Sequence, residues 1–317
     1  MAENKLMNTD HVFTPTGTSV LPSWVAKAGF VMRFLSFFFP SLVARFMAII
    51  WFKPFMPKPK KHILEWQDSA DKEIDLNAGQ AFLFQGNATL AAEQPLVVCV
   101  HGWRGRAHQM RRFLPELLAL NFRVVMVNLP AHSGQGKNHT DIYECANAIT
   151  KIHKEIGPID SIITHSFGSP VAALALSEDL QVRKFTMIAP NLNFTYLLNE
   201  YANAFGLRRL IPKIEHYIRM YCDKELFSGA WDKLNIHTLE QKLRYVQEVK
   251  IWHDKFDKEI SIETNLAIHK ILQNRQQSSE VIDVQDVGHF DILKNNETIQ
   301  QVCADLMISK KKPVLLE

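Results

Sequence analysis

Three residue types that can cooperate in nucleophilic catalysis follow apolar runs in the order serine, aspartate, histidine. Ser166 lies between the run "SIITH" and Gly168, Asp257 follows "VKIW", and His289 follows "VIDVQDVG". A serine hydroxyl is a weak nucleophile at neutral pH, so it needs a base, and the base needs an anion that orients it. We therefore expect Ser166 to be the nucleophile and His289 the base, with Asp257 or Asp254 as the orienting acid. Asp254 lies closer to the end of its run.

Backbone N–H groups beside these positions are candidates for an oxyanion hole. Attack on a carbonyl carbon places negative charge on its oxygen, which two oriented N–H donors stabilise. Phe167 directly follows Ser166, and Trp103 lies in the loop "HGW" after the run "LVVCV". We predict that the N–H groups of Phe167 and Trp103 supply this site. Residues expected to support the two loops are His101, Gly102, His165 and Gly168.

Short apolar runs that alternate with helical stretches must position these side chains. Such alternation predicts an α/β fold with a mostly parallel sheet and helices on both faces. Functional groups then collect at the C-terminal ends of the strands. The predicted strands are residues 81–86, 95–100, 122–130, 161–165, 184–190, 249–254 and 280–287.

Several motifs together resemble those of the α/β-hydrolase superfamily, in particular bacterial esterase- or lipase-like serine hydrolases. They are "HGWRGRAHQ" (101–109), "NLPAHSGQG" (128–136), T-H-S-F-G (164–168), "HDKFDKEI" (253–260) and "DVGHFDIL" (286–293). The resemblance covers roughly residues 95–300. It implies an α/β-hydrolase sheet, a nucleophile at Ser166 and the acid at Asp257. Thr164 departs from the G-x-S-x-G pattern of that family.

These features predict a serine hydrolase that cleaves a small-molecule carboxylic ester through an acyl-enzyme, with an apolar or lipid-like acyl group. The same triad serves amides, thioesters or acyl transfer to another acceptor, and the motifs do not separate these reactions. A hydrolase-like protein that has become a membrane-associated binding module is the alternative from another class.

The N-terminal region, residues 1–60, has a polar lead followed by a hydrophobic segment and a linker rich in proline and lysine. We expect residues 24–56 to form two short amphipathic helices joined at Pro40 that lie in a membrane interface. The alternatives are an arm docked on its own domain or on a second subunit, and a true span. The predicted division continues with a core at 61–190, a helical cap at 191–245 and the rest of the core at 246–317.

The composition argues against several other classes of protein. Lys and Arg number 36 against 33 Asp and Glu, a balance of +3 that is too mild to predict nucleic-acid binding. The 13 histidines and 4 cysteines show no ligand spacing, so we expect no metal and no cofactor. Isolated cysteines favour reduced thiols and a cytoplasmic protein. Together with the N-terminal segment, this predicts a protein that is peripheral on the cytoplasmic face of the membrane. The sequence leaves the oligomeric state open.

Overall fold

A computed structural model of the chain describes residues 23–86, 93–222, 239 and 241–308. Its centre is an eight-stranded sheet with the order β1-β2-β4-β3-β5-β6-β7-β8. Strands β3 to β8 pair in parallel, and β1 and β2 add an antiparallel edge. The strands are β1 (Lys72–Asp75), β2 (Gln80–Gln85), β3 (Leu96–Val100), β4 (Arg123–Asn128), β5 (Ile159–His165), β6 (Val182–Ile188), β7 (Val246–His253) and β8 (Ser278–Asp283). The predicted fold class is confirmed, although β1 was not predicted.

Helices cover both faces of the sheet. Apolar side chains alternate along the strands, so that Val98 and Val100 face one core while Val97 and Cys99 face the other. The described helices are α1 (Ser23–Phe38), α2 (Pro40–Trp51), α3 (Lys61–Asp68), α4 (Phe113–Ala119), α5 (Ile142–Ile156), α6 (Gly168–Ala175), α7 (Phe194–Ala204), α8 (Ile211–Cys222), α9 (Ile262–Asn274), α10 (Gly288–Asp291) and α11 (Asn296–Met307). Parallel strands buried on both faces explain the continuous apolar run of β3.

Side-chain caps fix where several helices begin. The carboxylate of Asp141 accepts hydrogen bonds from the N–H groups of Tyr143 and Glu144 at 2.8 and 2.9 Å, which starts α5. Asn193, Ser261 and Asn295 cap α7, α9 and α11 in the same way. These caps satisfy N–H groups that have no partner within the helix.

The hydrophobic N-terminal segment forms two helices, with the break at Phe39 and Pro40. Its inner side packs on the inserted helices α7 and α8, which lie within the predicted cap region. The part of the predicted cap from 223 to 238 lies outside the described residues. No helix within the described ranges is long and apolar enough to cross a bilayer.

The close approach of α6 to the end of β3 depends on Gly168. A Cβ atom at this position would lie 2.6 Å from the carbonyl oxygen of Val100 and 2.8 Å from that of His101. Backbone atoms of a central strand cannot move without disturbing the sheet. Position 168, two residues after Ser166, therefore has to be glycine.

We predict that Gly168→Ala lowers the free energy of unfolding by about 1–3 kcal/mol, because it overpacks this contact. Gly86→Ala is the matched control, since its new Cβ would meet only the side chain and carbonyl of Leu118 at an ordinary 3.7 Å. Urea unfolding of the two variants measures the difference. Equal stabilities would contradict the role given to Gly168.

Candidate active site

Ser166 lies in a strained turn between β5 and α6. Its φ of 49° is in the left-handed region, which non-glycine residues rarely adopt. The N–H of Ser166 donates to the carbonyl of Ile188 at 2.9 Å, so the turn is held by the end of β6. A Cβ on Gly102 would lie 3.1 Å from the Cβ of Ser166, and the glycine therefore lets the two loops meet. The turn leaves Ser166 half-buried, with its hydroxyl directed at His289.

The structure brings Ser166, Asp257 and His289 into one hydrogen-bonded chain. His289 Nε2 lies 3.1 Å from Ser166 Oγ, and His289 Nδ1 lies 2.8 Å from Asp257 Oδ2. An ionised carboxylate only accepts hydrogen bonds, so Nδ1 carries the proton. The neutral ring then presents Nε2 as an acceptor to the serine hydroxyl. This is the arrangement in which a histidine can remove a proton from a serine.

The carboxylate of Asp257 is held in its ionised form although its side chain is only 1% exposed. Its Oδ1 accepts the N–H groups of Glu259 and Ile260 at 2.8 and 3.0 Å. Burial alone would raise the pKa of this carboxyl, but hydrogen bonds from His253 and His289 hold the pKa well below its usual range. The negative charge needed to orient and stabilise His289 is therefore present at neutral pH.

A second histidine supports the same carboxylate and was missed by the sequence analysis. His253 Nε2 lies 3.3 Å from Asp257 Oδ2 and 3.0 Å from the carbonyl of Ile260, to which it donates. Its Nδ1 accepts the Asn265 side-chain amide at 2.5 Å. Both His253 and Asn265 are fully buried. The signal in the sequence was the spacing of four between His253 and Asp257 in "HDKFD".

The alternative acid, Asp254, does not contact His289. Its Oδ2 accepts the N–H groups of Val287 and Gly288 at 2.7 and 2.6 Å, and its Oδ1 accepts that of Phe256 at 2.8 Å. These three hydrogen bonds all come from the backbone, because Asp254 directly follows β7 and lies beside the turn after β8. Asp254 thus ties the loop that carries His289 to the loop that carries Asp257.

The candidate oxyanion donors lie in adjacent loops. The rings of Trp103 and Phe167 meet edge to face with centroids 5.1 Å apart, which brings the "HGW" loop against the serine turn. Within the described part of the chain, the backbone N–H groups of these two residues have no hydrogen-bond acceptor. They remain free to donate to a substrate oxygen.

His101 and His165 are buried and neutral, and each fixes a loop. Burial lowers the pKa of His101 well below its usual range, and burial beside His289 lowers the pKa of His165 to about 3. His101 Nδ1 donates to the Gly102 carbonyl at 2.7 Å, while its Nε2 accepts the N–H of Leu129 at 3.1 Å. His165 Nε2 donates to the backbone carbonyl of His289 at 2.8 Å.

Thr164 takes the place of the first glycine in the G-x-S-x-G pattern without leaving its hydroxyl unpaired. Its Oγ1 lies 2.8 Å from Ser169 Oγ and 3.3 Å from the carbonyl of Thr186. Because Thr164 is fully buried, these bonds compensate for the loss of water around the hydroxyl. Among the described residues, no cluster of three or more His, Cys, Asp or Glu side chains has a metal-binding arrangement.

The chain belongs to the alpha/beta hydrolase family, whose match covers residues 97–298. No curated protein sequence matches the chain.

Three of the solved structures with a similar fold are the following. A bacterial membrane phospholipase A, described as a virulence factor, is 15% identical with a TM-score of 0.51, over 74% of this chain and 85% of its own. Est1E from Butyrivibrio proteoclasticus is 13% identical with a TM-score of 0.52, over 75% and 99%. Monoacylglycerol lipase from Paleococcus ferrophilus is 15% identical with a TM-score of 0.51, over 72% and 98%. At such identities the likeness establishes the fold alone.

We predict that Asp254→Ala lowers the free energy of unfolding by about 4 kcal/mol or more, because three hydrogen bonds to a charged acceptor are lost and each contributes about 1.5–3 kcal/mol. Phe256, Val287 and Gly288 lose their acceptor in this variant. Asp291→Ala is the control, since it also removes an acid near His289, but one whose side chain is 67% exposed. Thermal or urea unfolding gives the comparison; a cost equal to that of Asp291→Ala would refute the tying role of Asp254.

Proposed function

We propose that this protein is a serine hydrolase that cleaves carboxylic esters through an acyl-enzyme. The observation that carries the proposal is the hydrogen-bonded chain from Asp257 through His289 to the strained Ser166. A serine used only as a helix cap would not require a left-handed backbone, nor a histidine and a buried carboxylate in line behind it.

In the first half of the reaction, Ser166 Oγ attacks the ester carbonyl carbon while its proton passes to His289 Nε2. The imidazolium that forms is stabilised by the negative charge of Asp257. The carbonyl oxygen gains negative charge and accepts hydrogen bonds from the N–H groups of Trp103 and Phe167. The tetrahedral intermediate then collapses, the C–O bond of the ester breaks, and His289 gives its proton to the departing alcohol.

In the second half, water replaces the alcohol. His289 Nε2 takes a proton from the water as its oxygen attacks the acyl carbon of the Ser166 ester. The same two N–H groups stabilise the second oxyanion. Breakage of the bond to Ser166 Oγ, with return of the proton from His289, releases the carboxylic acid and restores the enzyme.

An apolar acyl group is the substrate feature that the surroundings of Ser166 support best. Phe167 directly follows Ser166 in the chain, and its ring contacts that of Trp103. Phe290 packs against His289 with ring centroids 4.8 Å apart, and it is 56% exposed. These rings offer apolar surface on the serine side and the histidine side of the site. A long acyl chain would gain from contact with them, whereas a short one would not.

We predict that a fluorophosphonate probe labels the wild-type chain and that Ser166→Ala and His289→Ala abolish the labelling. The probe reacts only with a serine whose hydroxyl proton is removed by a neighbouring base, because an ordinary serine hydroxyl is too weak a nucleophile. Ser133→Ala is the matched control, since Ser133 lies in the "PAHS" loop next to His132, yet outside the hydrogen-bonded chain. Its labelling should equal that of the wild type.

The outcome also separates the rival functions. Absence of labelling in a folded wild-type chain would contradict the hydrolase proposal and favour a binding module on the same fold. With labelling established, 4-nitrophenyl esters of rising acyl length, the matching thioester and the matching anilide define the bond that is cleaved. Faster cleavage of the thioester or anilide than of the ester would overturn the ester assignment.

We further predict that Asp257→Asn lowers kcat by about 10³–10⁴-fold, because an amide can donate to Nδ1 and select the wrong tautomer of His289. KM should change little, since Asp257 is buried behind the histidine and does not touch the substrate. Steady-state kinetics on the best ester give both constants. Asp283→Asn, a change at an acid outside the triad, should leave kcat unaltered, and a loss below tenfold in Asp257→Asn would contradict the acid role.

A further inference from the structure

The outward faces of α1 and α2 form a large exposed apolar surface, which we call the outer arm surface. Exposure reaches 72% for Phe37, 67% for Leu42 and 62% for Phe34. Soluble chains rarely expose contiguous apolar areas of this kind unless they bind a partner. The surface consists of Phe30, Val31, Phe34, Leu35, Phe37, Phe38, Phe39, Leu42, Phe46 and Ile49.

The inner faces of the same helices already account for the packing of the arm on its own domain. Ala44, Met47 and Ala48 of α2 are fully buried, and the backbone of Gly29 in α1 meets that of Phe205. Tyr201 Oη donates to the Met47 carbonyl at 2.9 Å. These contacts use the small and inward residues, whereas the outer phenylalanines are not among the side chains packed against the core cluster.

The exposed rings of α1 form a continuous ridge that reaches Phe39, at the break between the two helices. Phe38 contacts Phe34 at 5.5 Å and Phe37 at 5.3 Å between ring centroids, and Phe39 follows at 6.5 Å. More than half of each ring's residue surface is exposed to solvent. Such a ridge can enter the boundary between lipid headgroups and acyl chains as one unit.

The charge of this region matches an anionic lipid surface. Between Asp10 and Glu65 the sequence has no acidic residue, while its basic residues are Lys27, Arg33, Arg45, Lys53, Lys58, Lys60 and Lys61. Arg33 lies against Gly206, Arg45 donates to Tyr221 and Lys61 pairs with Glu65. Lys53, Lys58 and Lys60 are the other described cations of the segment; anionic headgroups would pair with them, whereas a second copy of the chain would bring these like charges together. Charge therefore selects a membrane over a dimer as the occupant of the outer arm surface.

The helix lengths favour insertion parallel to the membrane plane. A span needs about 20 apolar residues. The two helices have 16 and 12 residues and are separated by a break before Pro40. Amphipathic helices with one apolar face and few basic charges lie in the interface instead.

We propose that the outer arm surface inserts into the interface of an anionic phospholipid bilayer and thereby anchors the helices α7 and α8 to the membrane surface. Trp51 packs edge to face on Tyr201 of α7 with centroids 5.2 Å apart, and Arg45 Nε donates to Tyr221 Oη of α8 at 3.3 Å. Insertion of the arm would hold these inserted helices at the lipid, where lipid-embedded esters are found. The binding step itself does not depend on the proposed hydrolase activity.

The experiment is flotation of the full chain with two kinds of vesicle, one of phosphatidylcholine alone and one of phosphatidylcholine with phosphatidylglycerol. We expect binding to both, stronger by about tenfold or more on the anionic vesicles at low salt, and a smaller difference in 1 M NaCl because salt screens the charges. No binding to either vesicle by the folded chain would overturn the proposal.

The variant Phe34→Ser with Phe37→Ser and Leu42→Ser removes three of the four most exposed side chains of the surface. We expect its partition coefficient to fall by roughly 100-fold or more, since three apolar side chains no longer enter the lipid. Leu266→Ser with Met307→Ser is the matched control, because these residues are 48% and 57% exposed on α9 and α11. Circular dichroism melting confirms that both variants are folded.

Two further readings separate the rival explanations. If the triple variant binds vesicles as the wild type does, the outer arm surface is not the membrane contact. Light scattering tests the dimer alternative. A dimeric lipid-free wild type and a monomeric triple variant, with no vesicle binding by either, would show that the surface is covered by a second copy. Ser166→Ala should bind vesicles to the same extent as the wild type. Membrane binding can therefore be confirmed even if the hydrolase proposal fails.

Discussion

The buried carboxylate of Asp257 is the group on which the geometry of the site depends. It accepts two backbone N–H groups through Oδ1 and the Nδ1–H of His289 through Oδ2, and His253 Nε2 lies 3.3 Å from the same Oδ2. These contacts keep the carboxylate ionised where water is excluded. Removal of any donor would leave a buried charge less well compensated. Through this one charge, the loop after β7 is fixed, the tautomer of His289 is set and the direction of Nε2 towards Ser166 follows.

The sheet brings together the three chain segments that carry Ser166, Asp257 and His289, which are far apart in the sequence. Because β5 to β8 pair in parallel, the C-terminal ends of β5, β7 and β8 lie on the same side of the sheet. The left-handed backbone of Ser166 then depends on close approaches at Gly102 and Gly168, and on the bond from its N–H to Ile188. His165 and Asp254 add direct ties to the turn of His289. Backbone strain at Ser166 is thus balanced by contacts that the surrounding loops provide.

Apolar runs and chain order were enough to predict the central strands, Ser166 and His289, because these depend on local composition and topology. The choice of Asp257 over Asp254 came from the resemblance of the "HDKFDKEI" motif to that of the hydrolase family. β1 was missed since only Ile74 of its four residues is buried. The contacts of Asp254 could not be inferred, because they depend on a turn 33 residues later in the chain. The amphipathic character of α1 and α2 was predicted, but the residues that face the domain were not: small residues and phenylalanines are interleaved in sequence, and only the packed helices separate them.

The measurement that tests the central claim most directly is mass spectrometry of the acid-quenched reaction with a slowly hydrolysed ester. The account predicts an acyl group on the peptide that contains Ser166, formed at the same rate as the first equivalent of alcohol is released. The same acyl group on another residue, or release of alcohol by a folded enzyme with no covalent adduct at any time, would contradict a nucleophilic role for Ser166.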